Sequence, residues 1–286
     1  MGVAACAAAA LLVVAGFLPA VHRAADVAAL LRPMAGLVAV VGVVLARPLW
    51  LRLAFGAVGV AGLATVAATY LPQRPGGDLR VYSKNVWFAN RRIDDLAVDI
   101  VAAEADVVLL QEVSAGRAGL PGALAGPFPH QHRCQPTPFN GIVVASRHPF
   151  DGPGLCSAAR AVAAVPIRLD GRRVWIASIH LPWPWPKDSG PNDDAALALL
   201  SGLDGPVVLG GDFNAFPWTG RIGRAASAAG LRLAGPTRWT YDYDGLPLPI
   251  DAVLAPGGGA VEARPFLGSD HRGLVADISL GPLGPG

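Results

Sequence analysis

The sequence predicts an α+β fold, a sheet sandwich with helices outside, preceded by an apolar helical segment. Three observations carry this. Charge is confined: Arg23, Arg32, Arg47, Arg52 and Arg74, with Asp26, are the only Lys, Arg, Asp or Glu before Asp78. Beyond Leu79, short apolar runs of strand length alternate with a few helical ones. Several of those runs end at a turn that presents a polar residue. The clearest is Val207–Pro217, where Val-Val-Leu-Gly-Gly delivers Asp212 and Asn214. Gly210 and Gly211 allow a sharp turn and a close backbone approach to a ligand. Alone, such a stretch is a common Asx turn. Four other polar stretches that end apolar runs in the same way give it weight.

At 286 residues the chain has ample material for a core, yet only 15% of it is charged, against about 25% in soluble domains. The deficit lies at the N-terminus. From Asp78 onward stand 18 of the 23 Lys and Arg and 20 of the 21 Asp and Glu. That part is near neutral, which excludes a basic field for long nucleic acid.

Residues 1–21 carry no charge. A second uncharged run, Pro33–Ala46, reaches spanning length if Val27–Leu31 joins it and Arg32 snorkels to the interface. A third lies between Arg52 and Arg74, with Trp50 and Tyr70 placed like interfacial aromatics. Each run approaches the ~20 residues that cross a bilayer, and Met1-Gly2-Val3 lacks the basic start of a signal peptide. The expectation is a bundle of three transmembrane helices in residues 1–72, with the lipid bilayer as its partner. Arg47 and Arg52 flank the second loop and would hold it cytoplasmic, so an odd number of crossings places the chain beyond Tyr70 outside. Arg23 and Arg32 in the first loop weigh against that orientation.

Residues 73–78 form a breaker-rich linker, with a catalytic domain over 79–280 and a tail over 281–286. Leu79–Val86 reads as a strand, and Ile93, Leu96, Ala97, Ile100 and Val101 mark one helical face. Val107–Leu110 is a buried strand. A long Pro/Gly-rich loop is expected from Ala115 to Asn140. Ile142–Ala145, Ala161–Arg168 and Val174–Ile179 are strands. A helix opens at Pro191 with acidic residues in its first turn, where the helix dipole favours them. Val207–Leu209, a helix over Ile222–Ala229, and strands at Pro249–Leu254 and Leu274–Ile278 complete the set.

Asn85 ends the first strand, Gln111-Glu112 comes directly after Val107–Leu110, and His180 ends Val174–Ile179. Asp251 sits among apolar neighbours and needs a partner. Ser269-Asp270-His271 precedes the last strand. Singly, each has a plain structural explanation. Together they supply carboxylates, two histidines and two asparagines at the ends of apolar runs. Oxygen-rich ligation without thiolate suits Mg²⁺ or Mn²⁺ better than zinc. Such a cation beside acid–base groups is what hydrolysis of a phosphate ester requires.

In this order, Asn85, Gln111-Glu112, His180, Gly211-Asp212-Phe213-Asn214, Ile250-Asp251 and Ser269-Asp270-His271 resemble the motifs of the endonuclease/exonuclease/phosphatase superfamily. The resemblance spans about Leu79–Leu280. It implies a four-layered α/β sandwich of two packed, mainly antiparallel sheets flanked by helices, with the site at one end. It implies a metal held by Asn85, Glu112 and Asp270. Asp212 would activate or orient water, Asn214 would orient the phosphate, His271 with Asp251 would form an acid–base dyad, and His180 would stabilise the transition state. Asn140-Gly141 and Ser146-Arg147 resemble the family's central strand and its exit turn. One position departs. The abasic-site endonucleases carry an acidic residue two positions after the first asparagine, where this chain has Trp87, which argues against DNA repair. His130, His132 and His148 match no motif and read as loop residues.

The expected function is therefore a membrane-anchored, divalent-metal-dependent phosphodiesterase or phosphatase. An extracellular nuclease of the same superfamily and a catalytically silent scaffold are the alternatives. Three short helices without a buried charge do not suggest a transporter or sensor. Arg91-Arg92 at a helix start and Arg172-Arg173 in a turn read as solvated surface, so a small phosphoester or lipid headgroup is favoured over duplex DNA. Nothing implies an obligate protein partner. Cys6 lies in the first apolar run as an unpaired residue. Cys134 and Cys156 flank the Asn140–Ala145 strand, either as a disulfide suited to an oxidising exterior or as two unrelated small hydrophobes.

Overall fold

The structure, a computed structural model, describes residues 2–19, 22, 24–114, 119–184 and 189–281. Arg23, part of the long loop (115–118) and the end of the tail (282–286) lie outside the described residues. Four helices come first: α1 (Gly2–Ala15), α2 (Ala24–Leu30), α3 (Arg32–Leu45) and α4 (Leu49–Thr69). Next come β1 (Leu79–Asn85), α5 (Ile93–Ala102), β2 (Val107–Val113), α6 (Gly119–Leu124), β3 (His130–Cys134), β4 (Gly141–Ser146), β5 (Leu155–Cys156), β6 (Val162–Leu169) and β7 (Arg172–His180). The remainder is α7 (Gly190–Ser201), β8 (Val207–Asp212), α8 (Gly220–Ala229), β9 (Arg232–Leu233), the hairpin β10 (Tyr241–Tyr243) and β11 (Leu246–Leu248), β12 (Asp251–Ala255), β13 (Gly259–Ala263) and β14 (Leu274–Ile278).

Two six-stranded mixed sheets result, ordered β13-β14-β1-β2-β4-β3 and β5-β6-β7-β8-β12-β9. Each has one parallel pair at its centre, β1/β2 and β7/β8, and is otherwise antiparallel. Alternation along the strands divides the core. Val107 and Leu109 of β2 and Val208 of β8 point between the sheets. Val108 and Leu110 face Leu96, Ile100 and Leu124 of α5 and α6, while Val207 and Leu209 face Ala196, Leu200 and Ile222 of α7 and α8. Both faces of the central strands are thus covered, which is why they read as nearly unbroken apolar runs. At the turn of β8, Gly211 has φ 148° and any Cβ there would collide with the Ile179 carbonyl of β7. Glycine lets the two parallel strands close up at this end.

The long loop expected over Ala115–Asn140 is not all loop: it holds α6 and β3, masked by Pro and Gly residues inside α6 (Pro121, Gly122) and on either side of β3 (Pro129, Pro136). His130 and His132 accordingly belong to β3. Arg172 and Arg173 begin β7 and do not sit in a turn. Cys134 of β3 and Cys156 of β5 form a disulfide with Cα atoms 5.8 Å apart. Since β3 and β5 are edge strands of different sheets, this bond joins the two sheets along one side.

The expected three spans are corrected most. One helix, α4, is long and apolar enough to cross a membrane. α1 and α3 have 14 residues each, roughly 21 Å at 1.5 Å per residue, short of a hydrocarbon core of about 30 Å. α2 and α3 do not run on as one straight helix: the chain bends by 68° between them, so together they make at most a broken span. Arg32 does not snorkel. Its side chain is buried, donates from Nη1 to Trp218 O (2.8 Å) and from Nη2 to Gly16 O (2.6 Å), and lies 4.2 Å from the Phe17 ring centroid. Asp26 is buried as well. It accepts from the Arg221 backbone N–H (3.0 Å) and from Arg224 Nη2 (2.7 Å). α2 is therefore docked on α8, supplying from a distant segment the side-chain cap that Thr219 does not give. α1, α3 and α4 pack together, and their outward surface (Leu11, Met34, Leu37, Val41, Val44, Leu53) is apolar.

The stretch after α4 is tied down as well. Gln73 bonds both Leu233 O and Gly259 N, and the N–H groups of Gly76 and Asp78 reach Asp277 O and Ile278 O.

Candidate active site

The strand register gathers the functional side chains at one end of the sandwich. In the parallel pairs, Asn85 aligns with Gln111 and His180 with Asp212; in the antiparallel pair β8/β12, Asp212 aligns with Asp251. Asp270 and His271 arrive just ahead of β14, tied to the end of β1 by Ser269. The Ser269 hydroxyl donates to Asn85 O (2.8 Å) and accepts from the His271 N–H (3.0 Å). The result is a cleft of about 440 Å³ lined by Glu112, His180, Asp212, Asn214, Asp270 and His271, with Asn140, Pro182, Trp183 and Tyr241 on its walls.

Within it, Asn85 Nδ2 donates to Glu112 Oε1 and to Asp212 Oδ2, both at 3.0 Å, while its Oδ1 accepts from the Trp87 N–H (3.0 Å). His180 Nε2 lies 3.6 Å from Asp212 Oδ2 and 3.8 Å from Glu112 Oε1. His271 Nδ1 is 2.8 Å from Asp251 Oδ2, and its Nε2 is 3.8 Å from Asp212 Oδ2. Asn214 donates its backbone N–H to Asp212 Oδ1 (2.8 Å) and its amide to Leu181 O (2.8 Å). The expected residues thus meet in one place. Asn85 bridges the two carboxylates from Glu112 to Asp212, and Asn214 braces Asp212. Trp87, Glu112 and Asn214 all have positive φ (58°, 55° and 47°). Non-glycine residues in that region cost of order 1 kcal/mol or more each and cluster at functional sites.

Burial sets the charges. The Asp212 carboxyl is raised to about 6 by its burial and by Asp251, against the pull of His271 and His180. Burial alone would lower the His271 imidazole, but Asp251 and Asp212 outweigh it and hold the ring protonated, to about 9. The Asp270 carboxyl is raised by burial and, despite His271, by Glu112. Glu112, Asp212 and Asp270 line a cleft with neither Lys nor Arg among its lining residues. Such a donor set, carboxylate and amide oxygen without sulfur, fits a hard divalent cation. Asp212, Asp251 and His271 also offer atoms within 4.8 Å of one another, but all three are deeply buried and His271 is already bonded to Asp251, whereas Glu112 and Asp270 are the more exposed carboxylates.

Several contributors were not singled out in the sequence. Lys84 is fully buried, and its Nζ donates to Pro265 O (3.0 Å) and His271 O (2.8 Å), fixing the His271 turn. A lysine inside the run Val81–Val86 was the available signal. Thr240 Oγ1 accepts from the Asp251 N–H (3.2 Å), and the Tyr241 ring lies 4.7 Å from that of His271. Gln111 Nε2 crosses between the sheets to Ser178 Oγ (2.9 Å). Tyr241 and Trp183 stand in a Trp-Thr-Tyr and a Pro-Trp-Pro stretch, whose aromatics among turn residues were the hint.

Solved structures share this architecture. An endonuclease/exonuclease/phosphatase from Bacteroides vulgatus superposes with a TM-score of 0.58 at 16% identity, covering 71% of this chain and 99% of that one. A 3′ phosphatase from Neisseria, solved with a product DNA hairpin, gives 0.55 at 18% identity over 70% of this chain and 99% of its own. A Staphylococcus aureus beta toxin with bound magnesium ions gives 0.54 at 14% identity, again over 70% and 99%. At these identities the likeness speaks for the fold. No curated protein matches the sequence significantly. The family model described as the endonuclease/exonuclease/phosphatase family matches residues 82–271, more than half of the chain, and the protein belongs to that family.

Proposed function

We propose that this protein is a membrane-anchored, divalent-metal-dependent hydrolase of phosphoester bonds, acting on a small phosphoester or a lipid headgroup. One observation carries the reading: three carboxylates, two histidines and two asparagines from five chain segments converge on a single cleft with no Lys or Arg in its lining. Glu112 and Asp270, with Asn85 beside them, would hold the metal, Mg²⁺ or Mn²⁺. When bound, it neutralises charge on the phosphoryl oxygens. Magnesium in the S. aureus beta toxin supports the choice by analogy.

The protein groups divide the remaining work. Asp212, raised toward neutrality and steadied by Asn85 and Asn214, accepts the proton of the attacking water as its oxygen bonds to phosphorus. His271, held protonated by Asp251, donates a hydrogen bond to the phosphoryl group and the proton that the departing alkoxide needs. His180 donates to a second phosphoryl oxygen. Preorganised donors in a partly buried cleft are where electrostatic stabilisation is largest.

The anchor reading rests on α4 and on the apolar outer surface of α1, α3 and α4, which needs an apolar partner. The Cys134–Cys156 disulfide and the Arg47 and Arg52 side of α4 support an extracytoplasmic catalytic region.

The test is turnover by the full chain in neutral detergent, offered bis-p-nitrophenyl phosphate, phosphatidylcholine vesicles and duplex DNA, with Mg²⁺ or EDTA. Mg²⁺-dependent release from either of the first two is expected. Activity that is indifferent to EDTA, or confined to duplex DNA with nanomolar binding, would sink it.

A further inference from the structure

Behind the wall of the catalytic cleft lies a second one, of about 480 Å³, lined by Arg238, Trp239, Tyr241, Phe266 and Arg272 together with the Asp242–Gly245 turn. The two clefts share Tyr241. The partition is thin: Tyr241 and His271 face each other across an antiparallel bridge, Arg272 N donates to Thr240 O (2.6 Å) and Asp242 N to Asp270 O (3.2 Å). Arg272 is thus the next residue after His271 yet opens to the other side.

The two clefts have opposite charge. In the second, Arg238 donates both Nε and Nη2 to Val261 O (3.0 and 2.9 Å), which fixes the plane of its guanidinium in the cleft wall. Arg272 lies 4.9 Å over the Phe266 ring and, among the described residues, makes no side-chain hydrogen bond or ion pair. The one carboxylate in the second cleft, Asp242, is engaged by the Gly245 N–H (2.6 Å). One guanidinium fixed in plane and a second stacked on an aromatic ring, against a single carboxylate, leave the cleft net positive and form a receptor for a phosphate oxyanion. The cleft also stands at the end of α4, since Trp239 lies 6.0 Å from Tyr70, the residue after that helix.

We infer that the Arg238–Arg272 cleft binds a second phosphate group alongside the one hydrolysed in the catalytic cleft. The inference rests on the hydrolase reading for its partner site. It narrows the substrate to a phosphoester that carries, or lies beside, another phosphate: a doubly phosphorylated soluble molecule or the headgroup of an anionic lipid at the surface where α4 ends.

Two measurements on the full chain in neutral detergent test it. The first compares kcat/KM for thymidine 5′-(p-nitrophenyl phosphate) with and without a 3′-phosphate. The wild type is expected to prefer the doubly phosphorylated ester, and R272Q should lower that preference about tenfold or more, the value of a lost charge-assisted bond. R272K should restore most of it, which a purely structural role for Arg272 would not give. A preference unchanged by R272Q overturns the inference. The second is calorimetry of inorganic phosphate binding to the metal-free protein, run on the wild type and on R272Q. Saturable binding that R272Q abolishes is expected; no binding by the wild type, or equal binding by R272Q, overturns the site. This readout needs no turnover, so failure to hydrolyse either ester while phosphate still binds would count against the hydrolase reading alone. Repeating it in phosphatidylcholine nanodiscs with and without phosphatidylglycerol separates the sources. Suppression by phosphatidylglycerol assigns the cleft to a lipid headgroup, and indifference assigns it to a soluble phosphate.

Discussion

The helical layer and the sandwich are built from the same kind of sequence, apolar runs interrupted by single polar residues, and treat the interruptions in opposite ways. In the sandwich, Asn85, Glu112, His180 and Asp212 stand at the ends of runs and turn toward a shared cleft, where Glu112 stays partly exposed. In the helical layer, Asp26 and Arg32 interrupt runs too, but each is buried and bonded by protein groups 186 to 198 residues away, Arg32 also by Gly16 O. A polar residue that ends an apolar run is thus a chemical group when its partners leave a vacancy for substrate, and a dock when they do not.

Substitutions sharpen that distinction. Glu112→Ala should lower kcat by 10² or more, and Asp212→Asn and His271→Ala likewise, since each removes a group acting in the transition state; full metal-dependent activity in the Glu112 variant would break the assignment. Next in size, replacing both Cys134 and Cys156 by Ser should cost about 3 kcal/mol in the chain-entropy account of a 22-residue separation. Urea midpoints would show it, with kcat within twofold of wild type.

Lys84 gives a pH signature. Burial lowers its ammonium from 10.5 to about 8, against the pull of Asp251 and Asp99. The unfolded chain binds that proton more tightly, so the lysine's contribution to stability is present above its unfolded value and is lost as pH falls from 10.5 through 8. Between pH 8 and 10 the wild type should gain about 2 kcal/mol relative to K84M. Tyr82, which burial raises well above its ordinary value, works in the opposite sense above pH 10 in both proteins. Parallel pH profiles for the two proteins would show that Lys84 is not a strained cation. Smallest is Asp26→Ala, expected to cost 1 to 2 kcal/mol by uncapping α8 and unpairing Arg224, with turnover per folded molecule retained. A loss of turnover as large as that of Glu112→Ala would erase the contrast between dock and site.

The sandwich was legible because its signals are local. Val107–Leu110 or Val207–Leu209 announces a strand, and the polar residue just beyond marks its end. What escaped depends on distant partners. β3 was hidden in a Pro/Gly-rich stretch because its pairing with β4 and its bond to Cys156 supply what local pattern does not. The length of the second apolar run was misjudged because the groups that bury Arg32 are Gly16 O and Trp218 O, and no window of sequence contains both. Trp239 and Arg272 went unremarked for the same reason: they meet only when the β10–β11 hairpin and the approach to β14 pair.

The placement of β14 has a consequence for how the protein is made. The last strand of the chain is not an edge: it lies between β13 and β1, the first strand. Until residue 278 has left the ribosome, β1 offers an unpaired border and an uncovered apolar face, while His271 has no scaffold. Emerging chains are therefore exposed to aggregation until that point. The candidate site is then completed all at once with closure of the sheet, and a chain cut short a dozen residues before Ile278 would have neither β14 nor His271.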